Sequence, residues 1–240
     1  MDRSDAKGLQ PGSPEHYSAY VGPPGQYDFM GATQFRLACA LGLREHHRLL
    51  DFGCGSLRAG RLFLPYLNAG CYFGVEPNRW LIDAAITHEF GGQEFVQLKR
   101  PRFDHNKDFR ADVFGVDFDF IVAQSIFSHA GPDLVSKAVA SFAGVLKPDG
   151  LVLATFVPSS TPTDVPNGWL YPGCVAYTHD AVLELAANAG LKALKIPWFH
   201  PRQDWYAFAR DAARLPSDED AERHLSGRVL WDAELQRREI

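Results

Sequence analysis

An acidic residue and two glycines, Asp51, Gly53 and Gly55, follow two leucines in the segment LLDFGCGSLRAG. Glycine at such a turn indicates a backbone conformation, or a close approach, that a Cβ atom would prevent. A glycine-rich turn from a strand into a helix presents backbone N–H groups and the positive end of the helix dipole to a ligand. The G-x-G-x-x-G pattern of dinucleotide sites fails because Arg58 stands where its third glycine would be. The turn therefore predicts a ligand crevice of another class.

Three further side chains are candidates for proton transfer or anion binding. His129 follows the apolar segment FDFIVAQSIF, and His200 and Arg202 lie in the segment WFHPRQ. Histidine titrates near neutral pH and can accept a proton, so we consider both histidines as catalytic residues. Arginine can bind a carboxylate or a phosphate through two parallel hydrogen bonds. A structural histidine and an exposed turn arginine are the alternatives, and the sequence leaves them open.

Two aromatic segments are candidates for the walls of a substrate pocket. The segment VPSSTPTDVPNGWLYPGCVAY is long for a loop, and loops of that length usually have a function or are disordered. Its Trp169 and Tyr171 favour a substrate wall. The N-terminal segment HYSAYVGPPGQYDFMGATQF contains Tyr20 and Tyr27 among glycines and prolines, which predicts an irregular lid over the same face. Plain packing of these aromatic residues is the alternative.

Strand-like and helix-like segments alternate from residue 48 onward. The predicted strands are RLLDF, CYFGVEP, QEFVQLKR, FDFIVAQSIF and LVLATFV, and Ser56, Asn78 and Thr178 are candidate caps of the helices between and after them. Repeated strand-then-helix steps predict a doubly wound, mostly parallel α/β sheet. LKALKIPW and DWYAFAR have no helix between them and predict a terminal antiparallel hairpin, which makes seven strands.

The same pattern divides the chain into three parts. Residues 1–47 form an aromatic lid segment and a helix, residues 48–210 the ligand-binding domain, and residues 211–240 a charged tail that we expect to be helical. Within the first part, residues 1–15 are polar and rich in glycine and proline, so we expect them to be mobile. The tail is expected to be a solvated helix, and a contact between copies of this chain is the alternative.

Composition excludes several classes of protein. The 240 residues are 46% hydrophobic, enough for a sizeable core, and the net charge of −5 argues against general attraction to nucleic acid or to an anionic membrane. No segment approaches the ~18–20 apolar residues of a membrane span, and no apolar signal segment begins the chain. The four cysteines are widely spaced, which predicts free thiols in a cytoplasmic protein. The segments EHH and FDHNKDF lack metal-ligand spacing, so no metal site is predicted.

Four segments in order along the chain resemble motifs of the class I S-adenosylmethionine-dependent methyltransferases. They are the Asp51-x-Gly53-x-Gly55 turn, YFGVEPN, FDFIVAQSIFSH and VLKPDGLVLATF, and the resemblance extends from about residue 49 to residue 210. The terminal hairpin is similar to that of the family sheet. Many members have a third glycine where this chain has Leu57. The resemblance implies a Rossmann-like methyltransferase fold and S-adenosyl-L-methionine as the cofactor.

The resemblance also implies which residues bind the cofactor. Glu76, at the end of the second strand, corresponds to the acid that holds the ribose hydroxyls, and Asp51 can engage the ammonium of the methionine part. The other implied cofactor-binding residues are those of the glycine turn, of the adenine wall and of the end of the fourth strand: Gly53, Cys54, Gly55, Pro77, Asn78, Gln124 and Ser125. The predicted substrate-binding residues are Tyr20, Tyr27, His129, Trp169, Tyr171, His200 and Arg202.

The function expected from these residues is methyl transfer to an oxygen or nitrogen atom of a small-molecule acceptor. An appended recognition domain is absent from the pattern, and nucleic acid is not an expected partner. Because a sulfonium leaving group is neutral, a catalytic base is not obligatory. Two alternatives stay open: a non-catalytic module that binds the cofactor or its demethylated product, and a protein or tRNA methyltransferase.

Overall fold

The computed structural model describes residues 16–162 and 164–217, together with Glu219 and Leu225. The helices are α1 (His16–Tyr20), α2 (Tyr27–Ala40), α3 (Gly60–Tyr66), α4 (Arg79–Glu89), α5 (Gln93–Lys99), α6 (Pro132–Val145) and α7 (His179–Asn188). The strands are β1 (Leu49–Phe52), β2 (Tyr72–Val75), β3 (Arg102–Asp104), β4 (Phe118–Ala123), β5 (Leu146–Pro158), β6 (Ala176–Tyr177), β7 (Lys192–Ile196) and β8 (Asp204–Ala209).

Seven strands form one mostly parallel sheet in the order β3-β2-β1-β4-β5-β8-β7, and the two-residue β6 pairs beside β5. The pairs from β3 to β5 are parallel, whereas β8 runs antiparallel to both β5 and β7. The predicted doubly wound sheet with a terminal antiparallel hairpin is therefore confirmed. This order puts the carboxyl ends of β1, β2 and β4 side by side, and it is there that a parallel α/β sheet binds ligands.

Two apolar layers cover the two faces of the sheet. Helices α6 and α7 pack on one face around Phe142 and Val182, and helices α2, α3 and α4 pack on the other around Leu37 and Phe63. The central strand β4 contributes to both layers because successive side chains of a strand point to opposite faces. This double covering explains why β1, β2 and β4 are continuous apolar runs.

The prediction of a strand at QEFVQLKR is wrong. Residues Gln93–Lys99 form the helix α5, and the edge strand is the three-residue β3 that follows. The segment is made of good helix formers, and it has Glu94 in its first turn and Lys99 in its last, which suits the helix dipole. These local preferences outweigh the apolar alternation on which the strand prediction rested.

The N-terminal segment is more regular than predicted. Its aromatic residues lie in α1 and at the start of α2, which begins at Tyr27 and runs through Gly31. A Cβ atom at Gly31 would overlap the carbonyl oxygen of Arg58, so this glycine allows α2 to lie directly against the loop after β1. Glycine therefore serves close packing here, and it does not interrupt the helix.

The three predicted caps have different outcomes. Thr178 caps α7, because its side-chain oxygen accepts a hydrogen bond from the Ala181 N–H. Ser56 does not cap α3, because that helix begins only at Gly60. Asn78 stands directly before α4, but its side chain bonds Glu76 instead of the helix.

Parts of the predicted domain organisation lie outside the described residues. These are the polar segment of residues 1–15 and most of the charged tail, of which residues 211–217, Glu219 and Leu225 are described. Leu225 is buried against the α2–α3 side of the sheet. Within the described part of the chain, no helix combines the length and the hydropathy that crossing a membrane requires.

Candidate functional site

The turn after β1 follows the carboxyl end of β2 closely. The N–H groups of Gly53 and Cys54 both donate to the carbonyl oxygen of Val75, at 2.8 and 3.1 Å. Gly53 and Gly55 have φ angles of +77° and +54°, a region that favours glycine. A Cβ atom at Gly53 would overlap Ile126, and one at Gly55 would lie 2.6 Å from Val21. The two glycines thus let the side chains of Ile126 and Val21 pack directly against the backbone of the turn.

Leu57, at the position of the family's third glycine, also has a left-handed backbone, with φ of +55°. Its side chain is fully buried in the layer that contains α2 and α3. A left-handed conformation costs a leucine about 1–2 kcal/mol, whereas truncating a buried leucine costs about 3–5 kcal/mol. Burial therefore outweighs the strain, which explains how leucine is tolerated here.

This balance makes a prediction for two variants of Leu57. Both Leu57→Ala and Leu57→Gly should lower the free energy of unfolding by about 2–4 kcal/mol, because each removes the buried side chain. Leu57→Gly should be the more stable of the two by about 1 kcal/mol, since only glycine relieves the backbone strain. Urea denaturation of both variants measures the difference, and a more stable alanine variant would show that the strain is absent.

Glu76 joins the turn after β1 to the start of α4. Its Oε2 accepts the Gly55 N–H at 3.1 Å, and its Oε1 accepts the Asn78 N–H and Nδ2–H at 2.8 and 2.7 Å. The residue is only 6% exposed, and burial raises the pKa of its carboxyl group while these hydrogen bonds lower it. The structure thus fixes a buried carboxylate beside the two glycines.

Asp51 is the second acid at this edge of the sheet. It is 4% exposed, and its Oδ2 accepts a hydrogen bond of 2.8 Å from the Tyr72 hydroxyl. Burial raises the pKa of its carboxyl group to about 7, and the negative charge of Glu76 adds to this effect. Asp51 therefore changes its charge near neutral pH, where the binding of a cation would favour the ionised form.

One cavity of about 1740 Å³ connects these groups with most of the predicted site residues. Of the residues predicted to bind the cofactor, it is lined by Asp51, Gly53, Cys54, Gly55, Glu76, Pro77, Asn78, Gln124 and Ser125. Of the residues predicted for the substrate, it is lined by Tyr20, His129, Trp169, Tyr171, His200 and Arg202. Residues from distant parts of the sequence thus line the same cavity.

Tyr27 is the exception among the predicted substrate-binding residues. It is 6% exposed and does not line the cavity, and its hydroxyl group donates to the Ser56 carbonyl oxygen at 2.8 Å. The ring lies under the guanidinium group of Arg61. Tyr27 therefore anchors α2 to the loop after β1. Its buried ring and its hydrogen bond explain why an aromatic residue with a hydroxyl group stands at this position.

Helix α1 closes one side of the cavity through aromatic contacts. Tyr20 stacks on Tyr171 with 6.4 Å between the ring centroids, and it meets Trp80 edge-on at 5.2 Å. His16 stacks on the other side of Trp80 at 4.9 Å. The N-terminal segment and the loop around Tyr171 therefore meet over the cavity.

The two candidate catalytic histidines have opposite tautomers. Nδ1 of His129 lies 2.7 Å from the carbonyl oxygen of Gly173, so this nitrogen donates and Nε2 carries the lone pair. Nδ1 of His200 accepts the N–H of Arg202 at 3.2 Å, so Nε2 carries the proton. His129 can therefore act as a base through Nε2, while the neutral His200 can act only as a donor there.

Several lining residues were not predicted from the sequence, notably Arg58, Trp80, Asn106, Phe109 and Gln203. Arg58 was noted only because it breaks the dinucleotide pattern. Its position three residues after Gly55, the last glycine of the turn, is a signal that could have found it. Trp80 could also have been found, since it follows the adenine-wall residues Pro77 and Asn78 at the start of a helix.

Comparison with known proteins agrees with this geometry. Residues 50–152 match a family model described as a methyltransferase domain. A solved magnesium protoporphyrin IX methyltransferase from Synechocystis PCC 6803, with bound SAH, matches with a TM-score of 0.58 at 11% identity, over 78% of this chain and 86% of the other.

Two further solved structures show the same fold. The amino pentose methyltransferase CalS10 from Micromonospora echinaspora matches with a TM-score of 0.55 at 17% identity, over 77% of this chain and 92% of the other. DesVI from Streptomyces venezuelae matches with a TM-score of 0.55 at 16% identity, over 80% of this chain and 95% of the other. With the domain match, these findings show that the chain contains a methyltransferase domain and has the fold of these S-adenosylmethionine-dependent methyltransferases.

Proposed function

We propose that this enzyme transfers a methyl group from S-adenosyl-L-methionine to an oxygen or nitrogen atom of a small-molecule acceptor. The observation that carries the proposal is the single cavity, which runs from the glycine turn and Glu76 to an aromatic end around Tyr171. In this proposal, the end near Glu76 binds the cofactor and the aromatic end binds the acceptor.

The residues at the first end fit the cofactor. Glu76 offers a buried carboxylate to the ribose hydroxyls, and charged acceptors make stronger hydrogen bonds than neutral ones. Gly53 and Gly55 let the backbone of the turn itself line the cavity. Both side-chain amide atoms of the buried Gln124 lack a hydrogen-bond partner among the described residues, and such orphaned groups are typical of a ligand site. When bound, the cofactor supplies an electrophilic methyl group on a positively charged sulfur.

The other part of the cavity fits an acceptor that is partly apolar. Trp169 and Tyr171 contact the ring of His129 edge-on, at centroid distances of 5.8 and 4.9 Å. In this proposal, these rings pack against an aromatic or apolar part of the acceptor. The named substrates of two similar structures, magnesium protoporphyrin IX and an amino pentose, are small molecules, which supports an acceptor of this class.

In this proposal, His129 takes the proton of a hydroxyl acceptor. Its Nε2 carries the lone pair because Nδ1 donates to the Gly173 carbonyl oxygen. That hydrogen bond also fixes the plane of the ring, so that the base is oriented before the acceptor enters. An amine acceptor that enters in its neutral form would need no base at the transfer step.

Asp51 gives the proposal a prediction about pH. Because burial raises its pKa to about 7, well above the ordinary value, the unliganded fold loses stability as the pH rises from the ordinary value to about 7, and above pH 7 the ionised carboxylate attracts a ligand cation. Cofactor affinity should therefore fall as the pH drops from 8 to 6, by up to about tenfold per unit below the pKa. In Asp51→Asn the affinity should be lower at pH 8 and nearly independent of pH. Calorimetric titration with the cofactor at three pH values measures both, and an unchanged pH profile in the variant would exclude this role.

The transfer itself is tested with cofactor that carries a labelled methyl group. Incubation with a panel of phenols, amino sugars and aromatic acids should label at least one of them, and mass spectrometry should locate the methyl group on oxygen or nitrogen. Protein and tRNA substrates belong in the same panel, and labelling of these alone would contradict the small acceptor. Cofactor binding without transfer to any acceptor would favour the non-catalytic module.

A further inference from the structure

Arg58, His200 and Arg202 all line the cavity, and the charges of both arginines act on His200. His200 and Arg202 lie in the turn between β7 and β8, and Arg58 approaches from the loop after β1. We propose that these three residues form a binding site for an oxoanion, either a carboxylate or a phosphate, carried by a ligand in the cavity. That this ligand is the acceptor or the cofactor of a methyl transfer rests on the proposed function.

Arg58 is a partly buried cation that forms no close ion pair in the described part of the chain, although the charge of Asp51 acts on it from a longer distance. One of its guanidinium nitrogens donates to the Val21 carbonyl oxygen at 2.9 Å, and no described carboxylate lies within ion-pair distance. Burial lowers the pKa of Arg58, which shows that the surroundings disfavour its charge. The nearby acid, Asp51, accepts its hydrogen bond from Tyr72 instead. A desolvated guanidinium with unused donors is well suited to bind an anion.

His200 adds a neutral donor beside two positive charges. Its Nε2–H is buried and has no partner among the described residues. Its pKa is lowered to about 4, mainly by burial and further by the charges of Arg58 and Arg202. The imidazole is therefore neutral at pH 7, and its Nε2–H can donate to an anion that the two arginines attract.

An independent observation points to a ligand at the same place. Gln203, which is 6% exposed, donates from Nε2 to the Ser125 hydroxyl at 3.0 Å, while its Oε1 has no partner among the described residues. Gln124 is equally buried, and both of its side-chain amide atoms lack a partner in those same residues. Leaving buried polar atoms unpaired destabilises the protein, so a polar ligand is expected to complete their hydrogen bonds.

The backbone around this group is held in place before a ligand binds. The Ser125 N–H donates to the Thr155 hydroxyl at 2.7 Å, and Trp198, at the base of the hairpin, donates from Nε1 to Thr33 of α2 at 3.0 Å. The turn between β7 and β8 is thus held both to the ends of the central strands, through Gln203 and Ser125, and to helix α2, through Trp198. A site organised in advance loses less free energy when its ligand binds.

Two ligands could bring an oxoanion to this position. One is an acid group of the acceptor, which would make the enzyme specific for acidic small molecules. The other is the carboxylate of the cofactor's methionine part, since Asp51 lies on the same loop as Arg58. The two anions have the same chemistry. If the site binds the acceptor, it stays empty when S-adenosylhomocysteine is bound; if it binds the methionine carboxylate, S-adenosylhomocysteine fills it.

The experiment titrates benzoate and inorganic phosphate into three forms of the protein and follows binding by NMR. The forms are the protein alone, the protein saturated with S-adenosylhomocysteine, and the protein saturated with 5′-methylthioadenosine, which lacks the amino-acid part. An acceptor site should bind an anion in all three forms. A site for the methionine carboxylate should bind it in the first and third forms but not in the second.

Variants connect the measured binding to the named residues. Arg58→Gln and Arg202→Gln should each weaken anion binding at least tenfold, and Arg58→Lys should weaken it less because it keeps a positive charge. Arg48→Gln is the matched control, since Arg48 is an exposed arginine at the opposite edge of the sheet. An unchanged affinity for 5′-methylthioadenosine would show that the variants are folded.

Two results would overturn the proposal: no anion binding to any of the three forms, or equal binding by Arg58→Gln and Arg48→Gln. Failure of the proposed function looks different, because the wild-type protein would then bind neither nucleoside. The titration of the protein alone still tests the anion site in that case.

Discussion

Replacing Glu76 by alanine is expected to weaken cofactor binding by about 1–3 kcal/mol, or roughly ten- to hundredfold. The variant removes the proposed charged partner of the ribose hydroxyls. It also removes the three hydrogen bonds that the carboxylate accepts from Gly55 and Asn78, so that the walls of the crevice lose their common anchor. Calorimetric titration with S-adenosyl-L-methionine measures the loss directly.

Two comparisons sharpen this prediction. Asp83→Ala removes an exposed carboxylate from the same region, where Asp83 pairs with Arg79 on the surface of α4, and it should leave the affinity unchanged. Glu76→Gln keeps the size of the side chain but turns an amide N–H₂ toward backbone donors, so it should bind nearly as weakly as the alanine variant. An affinity of Glu76→Ala equal to that of the wild-type protein would refute the assignment of this crevice to the cofactor.

The parts of the fold that could be predicted are those that local sequence determines. Strands β1, β2 and β4 are buried on both faces, so each is a continuous apolar run. The glycine turn could be predicted because its positive φ angles restrict the choice of residue, as at Gly53. Helix α7 could be predicted because Thr178 can cap a helix with its hydroxyl group and the apolar residues after it recur at helical spacing.

The parts that could not be predicted depend on contacts between distant segments. From the sequence, Tyr27 looks like a residue of an exposed lid. In the structure, its hydroxyl group donates a hydrogen bond to the Ser56 carbonyl oxygen, a partner that the sequence does not reveal. Gly31 looks like a helix breaker until the backbone of Arg58 is found against it. Arg58 itself lies where a glycine pattern fails, and its nearness to the β7–β8 turn follows only from how α2 and the sheet pack.

Replacing His129 by asparagine is expected to reduce kcat by about a hundredfold or more if the acceptor atom is a hydroxyl oxygen. His129 presents the lone pair of Nε2 because Nδ1 donates to the Gly173 carbonyl oxygen, and it lines the cavity beside Trp169 and Tyr171. Asparagine can keep a hydrogen bond to that carbonyl but cannot take a proton. The measurement is kcat with the acceptor that the labelled-cofactor panel identifies, together with the cofactor affinity, which should not change.

A control and a second histidine make the result decisive. His46→Asn removes an exposed imidazole just before β1, at the edge of the sheet away from the cavity, and it should leave kcat unchanged. His200→Asn should raise KM more than it lowers kcat, because Nε2 of His200 carries a proton and can only donate to the ligand. If His129→Asn left kcat unchanged with a hydroxyl acceptor, His129 would not be the base. An unchanged kcat with an amine acceptor instead agrees with the mechanism, because a neutral amine attacks the methyl group without first losing a proton.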